Sequence, residues 1–105
     1  MNAVYLKKRA INDLLHLFFQ LIEWKEHPLT YFEAGNYIND IESECYKINS
    51  LSLNHRAVYQ DHKRFGKYVH RYDKHSNIQW FIVYDFDKYG NILIKKIKSN
   101  LTTKK

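Results

Sequence analysis

The chain has 105 residues, 45% of them hydrophobic and 16% aromatic, with a formal net charge of +6. That length supports one core rather than two, and that apolar content excludes a disordered chain, so a single domain over residues 1–105 is expected. Cys45 is the only cysteine, which excludes an internal disulfide and a zinc site built from cysteines.

A lone cysteine suits a reducing compartment. The N-terminal "MNAVYLKKRA" has no apolar core of signal-peptide length, and the most apolar run, Leu14 to Trp24, is interrupted by His16, Gln20 and Glu23 and is too short to span a bilayer. A cytoplasmic protein without membrane contact is the expectation. Charge divides the chain: residues 1–52 hold five Lys/Arg against seven Asp/Glu, and residues 53–105 hold twelve against four. A basic half of this kind points to a polyanionic partner, nucleic acid or acidic polypeptide.

In chain order, Ala3 to Leu6 reads as a short strand. From Lys8 to Lys25 the residues Ile11, Leu14, Leu15, Phe18, Leu21 and Ile22 recur at three-to-four spacing, which predicts an amphipathic helix. Pro28 ends it, because proline cannot continue a helix and biases His27 away from helical dihedrals. Thr30 and Glu33 match a capping box, so a second helix starts there with Ala34, Tyr37, Ile38, Ile41, Cys45 and Ile48 inward. Gly35 in its first turns suggests close packing on the first helix. Residues 52–66 lack periodicity and carry His55, Arg56, His62, Lys63 and Arg64, which reads as a basic loop with a short strand near Ala57 to Tyr59.

Three strands follow, Lys67 to Tyr72, Ile78 to Phe86 and Ile92 to Lys98, joined by the turn-forming stretches "DKHSN" and "DKYGN". Ile78, Trp80, Ile82, Tyr84 and Phe86 alternate with Phe81 and Val83, so the middle strand has two apolar faces and belongs at the centre. Strict alternation in the last strand puts Ile92 and Ile94 on one face with Lys96 and Lys98, and Leu93 and Ile97 on the other with Lys95. Residues 100–105 form a fraying tail. The expected class is α+β: an N-terminal strand and a helical hairpin packed on an antiparallel sheet, in the order β-α-α-β-β-β.

This order, with Ala10 and Ala34 early in the two helices and the segments "HKRFGKYVHRY", "WFIVYDFD" and "NILIKKIKS", resembles the RelE/ParE toxin superfamily of type II toxin-antitoxin systems. The resemblance covers nearly the whole length. It implies a toxin that cleaves mRNA on the ribosome and so stops translation, as RelE-like members do, or one that acts on gyrase, as ParE-like members do; a catalytically silent binding protein of the same fold is the further alternative. The implied partners are a cognate acidic antitoxin that wraps the toxin, the ribosome and mRNA, and a homodimer is allowed. Two positions depart from the family pattern: Phe81 stands where many members have arginine, and Ser99, Asn100 and Leu101 stand where cleaving members often end in histidine, arginine or tyrosine.

Metal-independent RNA cleavage needs a base for the 2′-hydroxyl proton, cations for the charge growing on the phosphate, and an acid for the leaving oxygen. Arg71, Lys67 and Lys98 are the candidate catalytic cations. His70, with His62 as the alternative, is the candidate proton carrier, since imidazole titrates near pH 6.5 (about). Lys63, Arg64 and Lys96 are candidate RNA-binding cations, and Tyr68 and Tyr72 candidate stacking platforms for unpaired bases. Lys95, Lys96 and Lys98 equally suit a solvated face or a charged strand edge. Trp24 and Trp80 read as core, and Cys45 as a packing residue. The histidines follow no metal-ligand spacing, and the chemistry requires neither metal nor cofactor.

Overall fold

A computed structural model describes residues 2–75 and 78–99. In chain order these form strand β1 (Val4–Leu6), helix α1 (Lys8–Ile22), helix α2 (Tyr31–Tyr46) running into a 3-10 turn (Lys47–Ser50), the one-turn helix α3 (Gln60–Lys63), and strands β2 (Tyr68–His75), β3 (Ile78–Phe86) and β4 (Ile92–Ser99). The class is α+β, a helical pair on a four-stranded sheet of order β1-β4-β3-β2. The sheet is mixed rather than antiparallel throughout, because β1 lies parallel to β4 with Val4 opposite Ile92 and Leu6 opposite Ile94. Among the described residues no helix is long and apolar enough to cross a membrane. Ser76 and Asn77 of the first hairpin connection, and the tail expected to fray, lie outside the described residues.

α1 ends at Ile22 rather than Lys25, with the Glu23 amide donating to the Phe19 carbonyl. The Leu29 amide then donates to the Leu21 carbonyl and folds the Pro28 segment back on the helix end. The buried stripe of α1 is Ala10, Leu14, Leu17 and Leu21, shifted around the wheel from the expected one, and it leaves Ile11 and Leu15 51% and 54% exposed. Both stripes fit helical spacing, and the sheet covers only one. α2 begins as expected: Thr30 Oγ1 accepts from the Glu33 amide while Glu33 Oε1 accepts from the Thr30 amide. Ala34, Ile41, Cys45 and then Ile48 are buried below it. Gly35 does not mediate close packing, since a Cβ there would meet nothing within 4 Å.

β3 is central, as its two apolar faces require. Trp80, Ile82 and Tyr84 are buried against the helices with Ile94 and Ile97 of β4, in the core that also holds Leu14, Ile41 and Cys45. The outer face of β3 carries Phe81 and Val83, and the segment 52–66 folds across it. That segment is not a plain loop: Arg56 bridges to Tyr68, and α3 places His62 over Phe81 with ring centroids 4.9 Å apart. Gly66 permits the crossing, because a Cβ there would lie 2.9 Å from Val83 Cγ1 and 3.0 Å from the Tyr84 carbonyl oxygen. β2 runs on to His75, so Asp73 and Lys74 belong to the strand rather than to the connection. Trp24 is exposed beside His27, whereas Trp80 is buried.

Candidate functional site: a cationic cleft around Phe65

Strict alternation fails in β4, and that failure builds the site. Ile94 pairs with Tyr84 and Lys96 with Val83, so Lys95 is an extra residue, a β-bulge. Beyond it every side chain changes face. Ile97 and Ser99 turn into the core with Ile92 and Ile94, and Lys96 and Lys98, opposite Val83 and Phe81, turn to the outer face. The expected grouping of Lys96 and Lys98 with Ile92 and Ile94 is thereby corrected.

β1 has only three residues, so β4 beyond Ile94 has no strand partner on that side and α1 lies along it. Asp13 of α1 fills the gap: one carboxylate oxygen accepts from the Ile97 amide and the other from Lys96 Nζ, each at 2.9 Å. His16, one turn further along α1, joins Asp13, Gln20, Arg64, Lys96 and Lys98 around a cleft of about 310 Å3 whose apolar wall includes Phe65 and Trp80.

Phe65 is the centre of the cluster. Arg9 Cζ, Lys96 Nζ, Arg64 Cζ and Lys98 Nζ lie 5.1, 5.2, 5.3 and 5.9 Å from its ring centroid. An aromatic face attracts cations through its quadrupole without cancelling their charge, so the ring gathers them and leaves them positive. A second basin of about 270 Å3 adjoins the first at Arg64 and Phe65 and is lined also by Lys7, Arg9 and Lys95. Carboxylates offset the first basin in part: Lys96 pairs with Asp13, and Lys98 lies 3.6 Å from Asp61.

Of the residues expected to form a site, Arg64, Lys96 and Lys98 converge here. Arg71 shares the outer face but lies two strands from Lys98, about 10 Å at the usual strand spacing, with Phe81 and His62 between. Its guanidinium is held by both Asp73 oxygens, at 2.9 and 3.1 Å; that hydrogen bonding raises the Arg71 pKa and lowers that of Asp73. Lys63 and Lys67 are exposed outside the cleft; the backbone of Lys67 donates its amide to Asp85 and accepts from the Ala57 amide. His70, Tyr68 and Tyr72 lie on the opposite, helix-facing side. His70 Nε2 is 2.9 Å from Glu44, Tyr68 stacks on Tyr84, and Tyr72 packs against the core beside Trp80. None of the three reaches the cationic cleft.

His62 is a buried group rather than an open proton carrier. Burial, then the charge of Lys98, hold its pKa below the usual value, with Asp61 opposing, and its Nδ1 has no hydrogen-bond partner among the described residues. His16 is the exposed imidazole that lines the cleft. Lys7, Arg9, Asp13 and His16 are not among the expected site residues. One signal for the first two was present: "KKRA" puts cations in the first turn of a helix that has no acidic residue there and no side-chain cap, against the helix dipole. Among the described residues no group of three or more His, Cys, Asp or Glu side chains is placed to hold a metal ion. Comparison with known proteins gives no match, whether to a protein-family model, to a curated protein or to a solved structure.

Proposed function

We propose that this chain is a RelE-like toxin of a type II toxin-antitoxin system, which binds mRNA in the cleft over Phe65 and cleaves it on the ribosome. The observation that carries the proposal is the convergence of Arg64, Lys96 and Lys98 on one aromatic ring beside the exposed imidazole of His16, from three separate segments. In the proposed step His16 takes the 2′-hydroxyl proton, the 2′-oxygen bonds to the adjacent phosphorus, and the bond from phosphorus to the 5′-oxygen breaks. The leaving oxygen recovers a proton from the imidazolium or from water, while Arg64, Lys96 and Lys98 hold the non-bridging oxygens. The cognate antitoxin, an acidic chain, would cover the apolar groove between α1 and α2, where Ile11, Leu15, Phe18 and Ile38 line a cleft of about 570 Å3.

The second proposal, a gyrase-directed or catalytically silent member of the same fold, draws on the two departures from the family pattern. Phe81 is a seat for His62 rather than a cation, and Ser99 is buried on the helix side. Inducible expression separates the two. The RNase assignment predicts translation arrest with new transcript 5′ ends on ribosome-bound mRNA, relieved by Arg64→Ala or Lys98→Ala. A DNA-damage response with intact transcripts selects gyrase, and unimpeded growth with intact polysomes rejects a toxin.

A further inference from the structure

The cleft proposed for RNA has a neighbour that shares Arg64 and Phe65 with it. We infer that this neighbouring basin, lined also by Lys7, Arg9 and Lys95, is a second phosphate subsite that holds the backbone phosphate next to the reacting one. The ligand of the whole cleft is then a single-stranded RNA segment that runs through both basins, not a nucleotide; this rests on the RNA-cleft proposal above.

The distribution of counter-charge favours this assignment. In the first basin Lys96 and Lys98 have Asp13 and Asp61 beside them. In the second, Lys95 has Asp85 at 3.8 Å, while among the described residues no carboxylate lies within ion-pair distance of Lys7, Arg9 or Arg64. Lys7 and Arg9, which the proposed chemistry does not use, are therefore among the least compensated positive charges. Holding like charges around one ring costs stability, and a local cost with no structural return is expected at a binding site. Arg64 and Phe65 line both basins, so the Arg64 guanidinium, with its fork of five donors, is placed to bridge adjacent phosphates as a lysine could not. An acidic peptide could also meet this charge, but its carboxylates end side chains of variable reach, whereas two adjoining basins that share one arginine suit anionic groups that follow one another along a phosphodiester backbone.

The test compares an octaribonucleotide with a dinucleoside monophosphate, which has one phosphate, on the intact protein. In NMR titrations the dinucleotide should shift the Ile97 and Lys98 amides and leave Arg9 and Lys95 still, and the octamer should shift all four. The double variant R9Q/K95Q should weaken the octamer about tenfold, with its salt dependence reduced by roughly 0.7 per lost phosphate contact, while dinucleotide shifts are unchanged; K98Q should weaken both ligands. Circular dichroism checks that each variant is folded. Octamer affinity unaltered in R9Q/K95Q, or both ligands weakened equally, overturns the second subsite and leaves the RNA cleft standing. Failure of the wild type to bind RNA of either length overturns both. Polyglutamate bound more tightly than the octamer, and lost in R9Q/K95Q, would assign the basin to an acidic partner and refute the inference.

Discussion

Asp13 joins the stability of the sheet to the charge of the cleft, and two substitutions separate those roles. The Ile97 amide belongs to a residue only 4% exposed, on a stretch of β4 that β1 is too short to reach, and Asp13 is its acceptor. Asp13→Ala leaves that donor unpaired, at a cost of about 1–3 kcal/mol. It also removes the pair with Lys96, whose side chains are 23% and 16% exposed; solvent screening limits that loss to about 1 kcal/mol. Asp13→Asn keeps an acceptor oxygen for Ile97 and loses only the charge pair. In urea, with a slope of about 1–2 kcal/mol per M for a chain of this size, Asp13→Ala should lower the midpoint by about 1–2 M and Asp13→Asn by roughly a third of that. Buried Trp80 supplies the fluorescence signal. Both variants should bind RNA more tightly than wild type, because each removes a negative charge from the cleft. Equal midpoint losses in the two variants would refute the assignment of Asp13 as the edge acceptor.

Three further outcomes follow from the packing. Gly66→Ala forces a Cβ against Val83 and the Tyr84 carbonyl and should cost about 1–3 kcal/mol, whereas Gly35→Ala, inside α2 and facing open space, should gain about 0.5–1 kcal/mol; thermal midpoints moving in the same direction would contradict this. Burial and Lys98 hold the His62 pKa below its usual 6.5, so below pH 6.5 the unfolded chain takes up the proton more readily and the His62 contribution to stability falls with pH, while above it the contribution is complete. His62→Phe keeps the stacking on Phe81 and should flatten the drop in urea midpoint between pH 7.5 and 5.5 (about one pH unit either side); an unchanged drop argues against it. The Cys45 thiol is pushed up to about 12, first by burial and then by Glu42 and Glu44, so alkylation of the native protein at pH 8 (about) should proceed only at the rate of unfolding; rapid labelling under native conditions would count against a sealed core.

The elements were legible wherever local chemistry decides them. The Thr30–Glu33 box marked the start of α2, and the two-sided apolar pattern of Ile78 to Phe86 marked the central strand. What local pattern could not supply was the choice between equivalent surfaces. α1 carries two apolar stripes, and only the sheet decides that Ala10 and Leu17 go inward while Ile11 and Leu15 stay at the surface. The parallel pairing of β1 with β4 joins residues nearly ninety positions apart through three residues of strand. No local propensity reports such a contact, and it is this contact that brings Lys7, Arg9 and His16 to the β4 lysines.

The bulge at Lys95 follows from the spacing of the isoleucines in β4. Ile92 and Ile94 are two apart and Ile94 and Ile97 three apart, so no strand of uninterrupted period two can bury all of them on one face. One residue must be extruded, and a lysine is the residue that water accepts. Burial of Ile97 in the core therefore forces Lys96 and Lys98 outward, and outward is where Phe65 and Arg64 already lie. The position of the cationic cleft is thus a consequence of core packing in β4: pairing Lys95 into the ladder without a bulge would turn Ile97 to the outer face and Lys96 and Lys98 inward, and the cluster around Phe65 would come apart, whereas deleting Lys95 would give a regular strand that keeps Ile97 inward and Lys96 and Lys98 outward.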